Sequence, residues 1–159
     1  MKKLIIMATV VIAAVVANAA SFKWTASNIY SPTDSTTKLA SATATLYAYA
    51  ATADIGTAVE VASATTTAAG AISQNFTADA LTGGNYYNFY FVIESGDYTF
   101  TSSTKENVLA QATSTAAVSF GSMASQTGAS GNWEAVPEPT SGLLMLFGMA
   151  GLALRRRRA

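Results

Sequence analysis

Hydrophobic and polar positions alternate with a period of two through much of residues 20–120, and that period predicts β-strands. Phe22, Trp24 and Ala26 alternate with Lys23 and Thr25, which marks a first strand with one buried face. Ser31-Pro32-Thr33-Asp34 is a turn signal. Leu39 to Ala50 follows, with Thr43, Thr45, Tyr47 and Tyr49 on one face and mostly Ala on the other, a small face suited to close packing against a second sheet. Asp54-Ile55-Gly56 turns the chain, Val59 and Val61 mark another strand, and Ile72, Gln74 and Phe76 a fourth. Within Tyr86 to Ser102, the clearest local structure, Tyr87, Phe89, Phe91 and Ile93 alternate with Tyr86, Asn88, Tyr90 and Val92, so both faces carry bulky residues, the mark of a central, covered strand. Ser95-Gly96-Asp97 folds it into a hairpin with Tyr98-Thr99-Phe100-Thr101. Ser103-x-x-Glu106 matches a capping box, yet Val108 to Ser122 is so rich in Thr and Ala that short helix and strand both fit, a strand with Phe120 inward being preferred. Gly121 to Gly131 is loose and polar and reads as linker, with Trp133 either folding back onto the domain or staying in the spacer; no fixed-period repeat is evident. Short strands separated by turns predict an all-β fold, a small antiparallel β-sandwich.

The two ends of the chain break this alternation. Met1-Lys2-Lys3 is basic, Leu4 to Val16 is apolar apart from Thr9, and Ala17-Asn18-Ala19 offers small residues at the two positions a signal peptidase requires. This predicts an N-terminal signal helix and cleavage after Ala19. An uncleaved anchor is the competing reading, but the run falls short of the ~20 residues that span a bilayer. At the other end, Pro137-Glu138-Pro139-Thr140-Ser141-Gly142 precedes a short hydrophobic helix carrying Leu143, Leu144, Leu146, Phe147, Leu152 and Leu154. Arg155, Arg156, Arg157 and Arg158 then form a stop to translocation. A 13-residue apolar helix covers about 20 Å of a ~30 Å hydrocarbon core, which makes a weak anchor. The prolines on either side of Glu138 disfavour helix and favour an extended, threadable backbone.

Taken in order, Pro137-Glu138-Pro139, the apolar helix and the terminal arginines resemble the PEP-CTERM sorting signal of Gram-negative bacteria. The resemblance covers only about the last 23 residues and implies nothing about the fold before them. It does imply recognition by exosortase, a membrane-embedded cysteine protease-transpeptidase, with the tail removed near the Pro-Glu-Pro motif. The alternative is an ordinary tail anchor with a chance Pro-Glu-Pro spacer.

Charge narrows the partners. Residues 20–136 carry Lys23, Lys38 and Lys105 against Asp34, Asp54, Glu60, Asp79, Glu94, Asp97, Glu106 and Glu134, three positive against eight negative for a net of −5. Nucleic acid, which needs basic residues on its phosphates, is excluded as a partner. The absence of cysteine means no disulfide supports the domain in an oxidising compartment.

The absence of both histidine and cysteine removes Ser-His-Asp and Cys-His catalysis and the usual zinc sites. Glu94 and Asp97 are the one close carboxylate pair within well-defined structure, yet they flank a hairpin turn, where acids are simply solvated. No catalytic residue, metal site or cofactor is expected. Trp24, Tyr47, Tyr49, Tyr86, Tyr90 and Trp133 are candidate sugar-stacking rings, although aromatics at strand spacing more often build a core.

The chain thus reads as a signal peptide (1–19), a β domain (20–120), a linker (121–136) and a sorting signal (137–159). It is expected to be a non-enzymatic exported protein of the cell envelope, cell surface or extracellular matrix. Signal peptidase and exosortase are its expected transient partners, and the tail its contact with the membrane. The alternative is a surface carbohydrate-binding module with extracellular polysaccharide as partner.

Overall fold

Two sheets face each other in the computed structural model, which describes residues 19–34, 36–128 and 132–136. The strands are β1 (Ala19–Ser27), β2 (Thr43–Ala50), β3 (Val59–Thr65), β4 (Ile72–Thr82), β5 (Tyr86–Ser95), β6 (Tyr98–Thr101), β7 (Lys105–Leu109), β8 (Thr115–Ser122) and β9 (Trp133–Ala135). A single helical turn, α1 (Ala124–Thr127), lies between the last two. One sheet has the order β4-β1-β8; the other runs β3-β2-β5-β6-β9, with β7 also paired to β5. The expected sandwich is therefore present. One pairing departs from the antiparallel rule: β8 runs parallel to β1, with Phe22 opposite Ala116 and Trp24 opposite Val118.

The alternation read from sequence decides which side chains enter the core. Phe22 and Trp24 of β1, Leu46 of β2, and Phe89, Phe91 and Ile93 of β5 have no solvent exposure. Small residues sit beside large ones across the β2–β5 ladder, Ala44 opposite Ile93 and Ala48 opposite Phe89. That leaves room for rings from the other sheet: Phe22 meets Phe89 at 5.3 Å and Trp24 meets Phe91 at 5.6 Å between centroids. Such tilted contacts suit the quadrupoles of the rings and add to the burial of their area. Phe120 points inward as expected and meets Phe91 edge-on at 4.8 Å.

Strand β5 is the hub because it is covered on both edges. β2 runs along one side, while the other is shared by β6, beside Val92–Ser95, and β7, beside Tyr86–Phe89. The gap between them is closed by Ser102, whose amide donates to the Phe91 carbonyl while its Oγ accepts from the Phe91 amide at 3.0 Å. Both polar groups of the buried Phe91 backbone are thereby satisfied. The β5–β6 hairpin turns on Gly96, whose φ of +59° at the first of two central positions is the geometry glycine supplies most readily.

Two expectations change. Ser103 opens no helix: its amide and Oγ are bound by the side chain of Gln126, and β7 begins at Lys105. The segment 121–136, expected to be a linker, is built into the domain. Met123 and Thr127 are fully buried. The Met123 amide donates to Ser27, and Thr127 Oγ1 accepts from the Tyr30 amide at 3.0 Å and donates to the Met123 carbonyl at 2.9 Å. The bonds to Ser27 and Tyr30 reach back almost a hundred residues, so local composition carries no trace of them.

Candidate functional site

The C-terminal junction is the most informative region. β9 adds to the free edge of β6, with Trp133 opposite Phe100, Glu134 opposite Thr99 and Ala135 opposite Tyr98. The Trp133 ring packs on Phe100 at 5.4 Å and its Nε1 donates to the Thr127 carbonyl at 3.3 Å. The ladder ends with the Val136 amide donating to Asp97 at 2.7 Å. Pro137 is the next residue, so no spacer separates the sheet from the Pro-Glu-Pro motif. Three residues are too few to show a period, which is why the pattern of the sequence did not reveal β9.

Pro137, Glu138 and Pro139, the leucines and phenylalanine expected in a tail helix, and Arg155 to Arg158 all lie outside the described residues. So do the signal segment and Ala17. Among the described residues no helix is long and apolar enough to cross a membrane. Ala19, the expected cleavage position, is the first residue of β1 and pairs with Thr82 of β4. Ala20 pairs with Ala78 and is completely buried.

These two junctions lie at opposite ends of the sandwich. Ala19 sits at the Thr82 end, beside the turn that leads into Tyr86. Val136 sits beside the β5–β6 hairpin, at the end where Ala44 pairs with Ile93 and where Ser41 and Thr66 are bonded. Of the exposed large apolar side chains, Ile55, Val59, Tyr86 and Leu109 sit toward the Ala19 end, while Val136 lies at the other, next to Pro137 in the sequence.

Of the six candidate stacking rings, Tyr47, Tyr49 and Tyr90 come together, and Trp24 and Trp133 are taken up in packing elsewhere. Trp24 is core, fully buried, and its Nε1 has no hydrogen-bond partner. Trp133 is occupied by Phe100. Tyr47 and Tyr90 face outward from neighbouring strands but stack on each other at 5.3 Å and 14°, so each covers a face of the other. Tyr49 leans on Tyr90 at 6.5 Å. Packing among these phenols holds the Tyr90 hydroxyl above its ordinary pKa, chiefly by desolvation and further by the neighbouring Tyr47 and Tyr49. Tyr86 is 54% exposed. Glu94 is exposed in β5 opposite Thr99, and Asp97 is exposed in the turn. Among the described residues no cluster of three metal-ligating side chains forms.

Comparison of the chain with curated proteins and with solved structures gives no match. Residues 135–158 do match a family model, that of the PEP-CTERM protein-sorting motif. The match begins inside β9, at the residue paired with Tyr98. It covers the motif and the tail and leaves the β-sandwich without an assigned relative. The chain therefore carries a PEP-CTERM sorting signal, fused without a spacer to the edge strand of a β-sandwich.

Proposed function

We propose that this chain is a non-enzymatic protein exported to the cell surface or extracellular matrix of a Gram-negative bacterium, with the β-sandwich as its mature product and exosortase as its processing partner. The observation that carries the reading is the sorting-motif match at residues 135–158, which begins in the edge strand β9 of the domain. The signal segment directs export, the domain folds outside the cytoplasm, and the tail holds it at the membrane until it is cut near Pro137-Glu138-Pro139. The exposed Ile55, Val59, Tyr86 and Leu109 then lie toward the end of the domain away from Val136.

A structural or interaction role is favoured over a sugar-binding platform by the ring geometry. Stacking on a pyranose needs open, coplanar ring faces, whereas Tyr47 and Tyr90 cover each other and both tryptophans are engaged in packing. Intact-mass analysis of the protein recovered from its native cells tests the proposal. A mature form starting at Ala20 and ending between Pro137 and Ser141 is expected. A species that retains Arg155 to Arg158 would make the tail a permanent anchor and sink the sorting assignment.

A further inference from the structure

An edge strand presents unpaired backbone groups to any other strand that approaches, and proteins guard such edges with charge, bulges or brevity. The edges of this sandwich are guarded unequally. β3 carries Glu60 and a register shift against β2. β4 carries Asp79 at the shift in its pairing with β1. β7 carries Lys105 and Glu106, and β9 is only three residues long with Glu134 at its centre. β8 alone has neither a charged residue nor a proline among its eight residues. It ends its sheet, paired with β1 on one side. Among the described residues, Thr115–Ser122 makes no backbone-to-backbone bond outside that ladder.

The straight part of β8 is also complementary to itself. Thr115 to Ser119 run in unbroken register against Ser21 to Thr25. Thr115, Ala117 and Ser119 are exposed, whereas Ala116 and Val118 are buried. A two-fold axis through Ala117 lays this segment antiparallel on a second copy, with Ala117 opposite Ala117, Thr115 opposite Ser119 and Ala116 opposite Val118. Each exposed residue then meets an exposed one and each buried residue a buried one, so both faces of the sheet continue across the join. The exposed side chains are short, and the Thr and Ser hydroxyls come within reach of each other. Charge decides between the edges. Residues 20–136 carry three positive against eight negative side chains, so two copies repel wherever their acids meet. Pairing β9 with itself about its central residue would set Glu134 against Glu134; pairing at β8 opposes no charges at all.

We propose that β8 is a self-association edge: two copies of the chain join β8 to β8, antiparallel about Ala117, into one sheet with the order β4-β1-β8-β8-β1-β4. The same surface is used by both copies, so the contact closes at a dimer and does not propagate into a fibre. A ladder this short belongs to the weak, transient class of interfaces, and it is strengthened wherever copies are held close together.

The chain has no cysteine, so one introduced thiol reports one contact. The test uses the full chain in detergent with a large excess of micelles, so that no two chains share one. It carries either Ala117→Cys or, as control, Thr77→Cys, an exposed position on β4 at the opposite edge of the same sheet. Opposed Cα atoms of an antiparallel pair lie about 4.5–5.5 Å apart, within the span of a disulfide. With oxidised glutathione, linked dimer should form at least about tenfold faster from Ala117→Cys, through the local concentration that pairing creates. In sedimentation, the parent chain should gain apparent mass with concentration. Ala117→Lys, which keeps its solvent-facing side chain clear of the fold but opposes two like charges in the dimer, should not. Equal linking rates, faster linking from Thr77→Cys, or an Ala117→Lys chain that sediments like the parent would each overturn the proposal.

Discussion

Trp133 and Phe100 face each other across the β6–β9 ladder with their rings 5.4 Å apart, and this pair fastens the last strand of the sandwich to its sheet. The indole is also tied through its Nε1 to the carbonyl of Thr127 at the end of α1. Phe100 is fully buried and in turn meets Phe91 at 5.8 Å, so the fastening reaches the core.

Trp133→Ala should therefore free β9 without unfolding the domain. The half-buried indole is worth about 2 kcal/mol here, below the 3–5 kcal/mol of a fully buried Trp. Hydrogen exchange is the measurement: the amide of Val136 should lose protection in the variant while those of β5 keep theirs. Loss of protection throughout the domain would mean that β9 is integral to the fold.

Gly70 and Gly84 both have positive φ, +62° and +91°, but only one is crowded. A Cβ at Gly70 would sit 2.3 Å from the Ile29 carbonyl oxygen, which also accepts the Leu39 amide; at Gly84 it would meet nothing within 4 Å. Gly84→Ala should cost roughly 1 kcal/mol, the backbone penalty alone. Gly70→Ala should cost at least about 2 kcal/mol more, because backbone must shift. Urea midpoints of the two variants would decide the order.

Asp34 holds its loop by accepting bonds from the Thr36 hydroxyl and amide at Oδ1 and from the Thr37 hydroxyl at Oδ2. These bonds, the Thr36 side chain first, lower its pKa from 3.8 to about 2. A depressed carboxylate pKa favours the folded loop above 3.8, and that contribution fades as pH falls through about 2. A side-chain NMR titration should show Asp34 keeping its charge well below pH 3.8 on acidification and returning toward 3.8 in Thr36→Val; an ordinary value in the parent chain would mean the loop bonds do not form.

Tyr90 provides the alkaline counterpart. Its raised pKa means the neutral phenol is favoured in the folded domain, so that contribution is complete below pH 10 and is lost as pH rises through the higher folded value. Ultraviolet titration should resolve a late phenolate that disappears in Tyr90→Phe. In Tyr47→Ala it should move toward the ordinary range, because both the covering ring and a neighbouring phenolate are gone.

The strands were largely legible in the sequence because a sheet with one covered face writes its burial into every second residue. Phe22, Trp24 and Ala26, the alanine face of β2, and Phe89, Phe91 and Ile93 all lie where the alternation placed them. The sorting signal was legible too, since Pro137-Glu138-Pro139, the apolar run and the arginines are contiguous and need no partner to be recognised. What depended on residues far apart was hidden. The parallel pairing of β1 with β8, the capture of Thr127 by the Tyr30 amide, and the addition of β9 to β6 each join segments through backbone groups. Every residue type offers those same groups, so no local pattern marks them. Folding alone decided that Ala20 would be sealed in the core beside β4 while Trp133 to Ala135 would lie along the edge of the other sheet.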